Sequence, residues 1–93
     1  MSFEEYREDI DALDEALLKI VAQRFAIVKK IGVYKKANAM PVLDPERKRQ
    51  VLDAFEANAR RLGLDVEFAQ KLYELIHVYA LKIEEEYAIK ESL

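Results

Sequence analysis

The sequence predicts an all-α protein, and three observations carry that expectation. Two glycines and two prolines in 93 residues leave few places to break the chain, so its elements are few and long. Apolar residues recur at steps of three and four, the period of a helix rather than of a strand. The 52% apolar and 35% charged content suits amphipathic helices and is far from that of a disordered chain. Ninety-three residues hold one hydrophobic core, so residues 1–93 are expected to form a single domain.

The first helix is predicted from about Phe3 to about Ala37. Phe3, Tyr6, Ile10, Leu13, Leu17, Ile20, Ile27, Ile31 and Tyr34 keep one stripe, and no proline intervenes before Pro41. Gly32 is the one weak helix former of its kind inside. Such a helix is roughly 50 Å long, whereas a compact chain of this size has a radius of gyration of only about 12 Å. The helix must therefore overhang its own globule, with its stripe bare unless a second copy covers it. An intertwined homodimer follows as an expectation from length and pattern.

Asp44-Pro45 announces the second helix, with Asp as cap and Pro at the first helical position. Val51, Leu52, Phe55, Ala59 and Leu62 form its apolar side, and Gly63 supplies a left-handed stop. Asp65 caps a third helix whose apolar positions are Ala69, Leu72, Leu75, Ile76, Tyr79, Ala80, Ile83 and Tyr87. The expected architecture is a three-helix protomer with a very long N-terminal helix.

Composition narrows the function. A net charge of −3 argues against a general nucleic-acid binder, and the absence of cysteine removes disulfides, thiolate metal sites and cysteine nucleophiles. A single histidine, His77, cannot build a histidine metal cluster, so no metal is expected. The amino terminus is acidic where a signal peptide would be basic and then apolar. No apolar run approaches a membrane span, and the chain reads as cytoplasmic.

The informative residues are those that break the stripe. Arg24 falls on the apolar face between Ile20 and Ile27, where an unpaired guanidinium is costly. Lys35 points the same way, about 20° around the helix. Arg7 borders the stripe too, but about 25 Å from Arg24 along one helix, so one small ligand could meet both only if Arg7 came from a partner subunit. Arg47 stands in the first turn of the second helix, where a cation opposes the helix dipole. Each alone is explained by a head group snorkelling into water or pairing across an interface. Together they suggest an anion site. Ala80 and Glu84 lie one turn apart on the third helix beside Ile76, Ile83 and Tyr87, whereas Glu85 and Glu86 read as solvated. His77 reads as a satisfied interface or surface histidine.

The ordered set Tyr6-Arg7-x-x-Ile10-x-x-Leu13-Asp14, Leu17-Leu18, Arg24, Lys35 and Pro41-Val42-x-Asp44-x-x-Arg47 resembles the all-α type of chorismate mutase. The resemblance extends through the Gly63-Leu64-Asp65 turn and covers essentially the whole chain. It implies that Arg24, Arg47 and the partner's Arg7 hold two carboxylates of a small substrate. Lys35 would reach the ether oxygen of the enolpyruvyl group, Asp44 would lie near the ring C4 hydroxyl, and Glu84 would face the same ether oxygen. The implied reaction is the [3,3] rearrangement of chorismate to prephenate, with no cofactor. Catalysis would come from holding a reactive conformer and from donors aimed at the oxygen that gains charge. Glu84 can help only as the neutral acid, a form that burial favours and the Lys35 cation opposes, so activity is expected to fall as pH rises through neutrality.

Lys48 departs from the pattern, since the mutases usually carry Glu there to recognise the C4 hydroxyl, and Ala80 replaces a small polar residue. Relatives that cleave isochorismate to salicylate and pyruvate, or rearrange 4-amino-4-deoxychorismate, also lack that Glu. Lys48 would repel the protonated amine of the latter. Both activities stay open beside the mutase, as does a non-catalytic helical dimer, which accounts poorly for Arg24 and Lys35 on an apolar face.

Overall fold

A computed structural model describes residues 2–92, and side chains through residue 89. Three helices follow one another: α1 (Phe3–Ala37), α2 (Pro45–Leu62) and α3 (Val66–Ser92). Local chemistry explains each boundary. Ser2, in extended backbone, accepts a hydrogen bond from the Glu5 N–H at 3.2 Å, and Glu4 and Glu5 set negative charge at the positive end of α1. Asp44 accepts from the Arg47 N–H at 3.1 Å with Pro45 directly behind it, which starts α2. Gly63, at φ 74°, ends α2, and the Leu64 N–H returns to the Ala59 carbonyl at 2.8 Å. Asp65 then accepts from the Glu67 N–H at 2.8 Å and starts α3.

The end of α1 is less comfortable. Ala39 takes φ 52°, left-handed backbone, while the Met40 N–H closes on the Lys35 carbonyl at 2.8 Å. A side chain there costs roughly 1–2 kcal/mol, whereas glycine loses about 0.4–1 kcal/mol through its looser unfolded chain. Ala39→Gly is therefore expected to stabilise the protein by about 0.5–1 kcal/mol, read as a higher urea midpoint at unchanged slope. An unchanged or lower midpoint would show that the turn carries no strain.

Helix α3 packs on both α1 and α2, and among the described residues α1 and α2 do not approach each other closely. The contact row combines small side chains with Tyr73 and Glu84. Val28 and Gly32 of α1 and Ala59 of α2 meet Ala69, Tyr73, Ala80 and Glu84 of α3 in the buried layer. This corrects the expected stripe on α3. Leu72, Leu75 and Tyr79 are 36%, 58% and 50% exposed, and Leu62 of α2 is 61% exposed. Apolar residues wrap more than one face of α3, and periodicity does not say which face meets its own chain. Close backbone approach decides it, and that selects the face carrying Ala69 and Ala80.

Every residue from 3 to 20 is exposed, including Phe3, Ile10, Leu13 and Leu17. The molecule measures 55 × 27 × 15 Å with a radius of gyration of 16.6 Å, well above the about 12 Å of a compact chain of this length. The overhang expected from helix length is present, and so is the bare stripe. Among the described residues no helix is long and apolar enough to cross a membrane.

Candidate active site

The second half of α1, the start of α2 and the middle of α3 enclose a cavity of about 330 Å³, within the range of small-molecule sites. Its position depends on Gly32. A Cβ built there would lie 2.6 Å from the Glu84 carbonyl oxygen and 2.8 Å from its Cα, so the two helices touch backbone to backbone. One turn on, that approach brings Lys35 Nζ to 2.8 Å from Glu84 Oε1. Nζ donates its directed hydrogen bond to the Val42 carbonyl at 2.6 Å, whereas among the described residues Oε1 receives none of hydrogen-bond geometry. Lys35 thus joins α1, the α1–α2 connection and α3 at a single point. Both side chains are largely buried, at 16% and 10% exposure, where removing one partner strands the other charge.

Arg24 is the second anchor. Its Nη1 is buried and has no hydrogen-bond partner among the described residues. A buried guanidinium nitrogen without an acceptor is unfavourable, and a ligand oxygen would relieve it. Arg47 reaches Gln50 Oε1 at 3.4 Å, a long bond that leaves most of its donors uncommitted. Lys48 stands 3.7 Å from Glu74. Four cations (Arg24, Lys35, Arg47, Lys48) line the cavity against two carboxylates (Asp44, Glu84), an excess of two positive charges. A small dianion matches that balance.

The structure brings seven of the expected residues to this wall: Arg24, Lys35, Asp44, Arg47, Lys48, Ala80 and Glu84. Asp44 also caps α2, so Oδ1 is committed to the Arg47 N–H. Ala80 is 7% exposed and leaves room where a larger side chain would fill the space. Arg7 is elsewhere. It lies near the start of α1, paired with Glu4 at 3.3 Å and resting 4.2 Å over the Phe3 ring. Within one protomer it contributes nothing to the cavity.

Besides apolar side chains, two further polar residues line it that were not expected there, Tyr73 and His77. Phe55 of α2 meets Tyr73 edge-on at 5.2 Å and 64°, and Tyr73 stacks on His77 at 5.6 Å and 25°. The Tyr73 hydroxyl lies 3.3 Å from His77 Nδ1. Burial, and then the Glu74 carboxylate, push the Tyr73 phenol above its ordinary value. Burial, and then the Lys48 cation, hold the His77 imidazole below its own. No sequence signal singles them out: 69, 73, 77, 80 and 84 share helical spacing, but so does the exposed row Phe68, Leu72, Leu75 and Tyr79. His77 is not a surface histidine; it belongs to the cavity wall.

Residues 6–85 match the family model of chorismate mutase type II. The chain is similar to a 4-amino-4-deoxychorismate mutase of Streptomyces pristinaespiralis, 36% identical over 87% of this chain and 63% of that protein. A second protein of that description, from Streptomyces venezuelae, is 33% identical over 94% of this chain and 84% of its own length. A chorismate mutase of Methanocaldococcus jannaschii is 24% identical over 89% of this chain and 84% of its own.

Proposed function

The chain belongs to the chorismate mutase type II family, a family of isomerases, and we propose that it rearranges chorismate to prephenate as a homodimer. The observation that carries this reading is the buried Arg24 Nη1, without a hydrogen-bond partner among the described residues, in a cavity with two excess positive charges that also holds the Lys35 and Glu84 pair. In the rearrangement one C–O bond breaks and one C–C bond forms inside the substrate. No group is transferred to the protein, so its task is to hold a conformer and stabilise charge.

In this mechanism Arg24 and Arg47 take the substrate carboxylates, joined by Arg7 of the partner subunit. Lys35 donates to the ether oxygen as negative charge gathers there. Its ammonium is already fixed by the Val42 carbonyl, so little reorganisation is needed when the bond breaks. Asp44 and Lys48 lie at the side of the ring substituent. The bare apolar stripe on α1, from Phe3 to Leu17, supports the dimer, since apolar patches of that extent mark association surfaces. An isologous pairing would carry each Arg7 to the other copy's cavity.

Glu84 assists the ether oxygen only when it carries a proton. Glu84→Gln, a permanent neutral donor, is therefore expected to keep kcat/KM about 10-fold or more above that of Glu84→Ala. Equal activity in the Gln and Ala variants would remove Glu84 from the mechanism.

The two Streptomyces relatives favour a second reading, rearrangement of 4-amino-4-deoxychorismate. Lys48 weighs against it, because an ammonium beside a second cation is repelled by several kcal/mol at about 4 Å in a partly screened site. Incubating the purified protein with each of chorismate, 4-amino-4-deoxychorismate and isochorismate separates the readings. Prephenate from chorismate is expected. Pyruvate and salicylate from isochorismate without prephenate, or turnover of the amino compound alone, would replace the assignment.

A further inference from the structure

Resting on the reading that this cavity binds a chorismate-like ring, we infer that His77 determines specificity: its Nε2–H, oriented by Tyr73, donates to an oxygen substituent on the ring and disfavours an ammonium.

The argument begins with Tyr73. Only 2% of it is exposed, and Phe55 closes one side of its ring. A phenol in such a place keeps its proton and must donate it. Among the described residues its hydrogen-bond partner is His77 Nδ1, at 3.3 Å. Nδ1 is then the acceptor, and a neutral imidazole whose Nδ1 accepts carries its hydrogen on Nε2. Neutrality follows from the surroundings. Burial and the cations Lys48 of α2 and Arg24 of α1 disfavour the imidazolium, and together they outweigh Glu74 and Glu84 of α3. The ring is thus a neutral donor of one fixed tautomer on the cavity wall.

Position gives this donor a meaning. His77 precedes Glu84 by two helical turns, about 10 Å along α3. The cavity therefore has two ends, one held by Lys35 and Glu84 and the other by Lys48 and His77. At the second end both side chains donate. Of the nearby carboxylates, Asp44 gives one oxygen, Oδ1, to the Arg47 N–H, and Glu74 is paired with Lys48. A hydroxyl oxygen can accept from Nε2–H and from Lys48, whereas an ammonium can accept from neither and is repelled by the Lys48 cation.

The test compares kcat/KM for chorismate with that for 4-amino-4-deoxychorismate, as a ratio, in wild type and three variants. His77→Leu is expected to lower the ratio about 10-fold, the worth of one hydrogen bond. The loss should fall mainly in the KM for chorismate, because the Lys35 and Glu84 end is untouched. His77→Gln, whose amide can place an N–H near the same point, is expected to keep the ratio within about 3-fold of wild type. Tyr73→Phe frees the tautomer and is expected to lower the ratio partway. Thermal unfolding of each variant guards against misreading a folding defect. A His77→Leu ratio equal to wild type, or equal losses in the Leu and Gln variants, would overturn the inference while leaving the mutase reading intact. Should the Leu variant not fold, a wild-type ratio in Tyr73→Phe overturns it instead. Wild type that turns over neither compound overturns the reaction and the inference together.

Discussion

Arg24→Ala and Arg7→Ala proteins, each lowered in kcat/KM by about 10²–10³-fold, are expected to recover activity when mixed. The expectation comes from the length of α1. Arg7 and Arg24 share that helix, Phe3–Ala37, and stand about 25 Å apart along it. Arg24 lines the cavity of its own chain, while Arg7 sits on the exposed overhang. If each site takes Arg24 from one copy and Arg7 from the other, a mixed dimer holds one site with both defects and one with neither. Random exchange makes half of the dimers mixed, so about a quarter of the wild-type sites return. If Arg7 served its own chain's cavity, every site in a mixed dimer would still lack one arginine.

The measurement is activity against mixing time after brief dissociation in mild denaturant, with each variant refolded alone as control. Recovery near a quarter of the wild-type rate supports a shared site. No recovery, with mixed dimers demonstrated by mass, would sink both the shared site and the role of Arg7. The design also separates binding from assembly, since Arg7 is exposed in the protomer and its loss should leave folding of α1 unaffected.

What could be read from the residues divides along physical lines. Helix ends were legible because capping is local chemistry: Asp44-Pro45, Gly63 and Asp65 each act within a turn of their own position. The overhang was legible because helix length is fixed by rise per residue, whatever else the chain does. Arg24 and Lys35 could be singled out because a charge on an apolar stripe is expensive and needs a reason. Tyr73 and His77 could not, since their place depends on which of two apolar faces of α3 turns towards α1 and α2. Phe68, Leu72, Leu75 and Tyr79 make as regular a row as the one that is buried. Only the close fit of small residues against α1 and α2 breaks that tie, and it is a tertiary fact.

Gly32 is where that fit is most severe, and Gly32→Ala is expected to cost far more activity than stability. Two effects oppose each other in the fold. Alanine gains about 1 kcal/mol over glycine inside a helix. Against this, its Cβ would stand 2.6 Å from the Glu84 carbonyl oxygen and 3.1 Å from its carbonyl carbon. Those are backbone atoms, so no side-chain rotation relieves the overlap, and the helices must part by the better part of an ångström. Overpacking of this kind costs typically 1–3 kcal/mol, which leaves a net loss of about 0–2 kcal/mol and a protein that still folds. The site has no such margin. Lys35 follows one turn after Gly32, and its 2.8 Å approach to Glu84 exists because the two backbones touch. A displacement of about 1 Å at reacting groups is worth on the order of 10²-fold in rate. The expected outcome is thus kcat/KM down about 10²-fold, with a urea midpoint close to that of wild type. A Gly32→Ala protein that is both more stable and fully active would mean that α1 and α3 do not meet at this distance. The position of Lys35 against Glu84 would then need another cause.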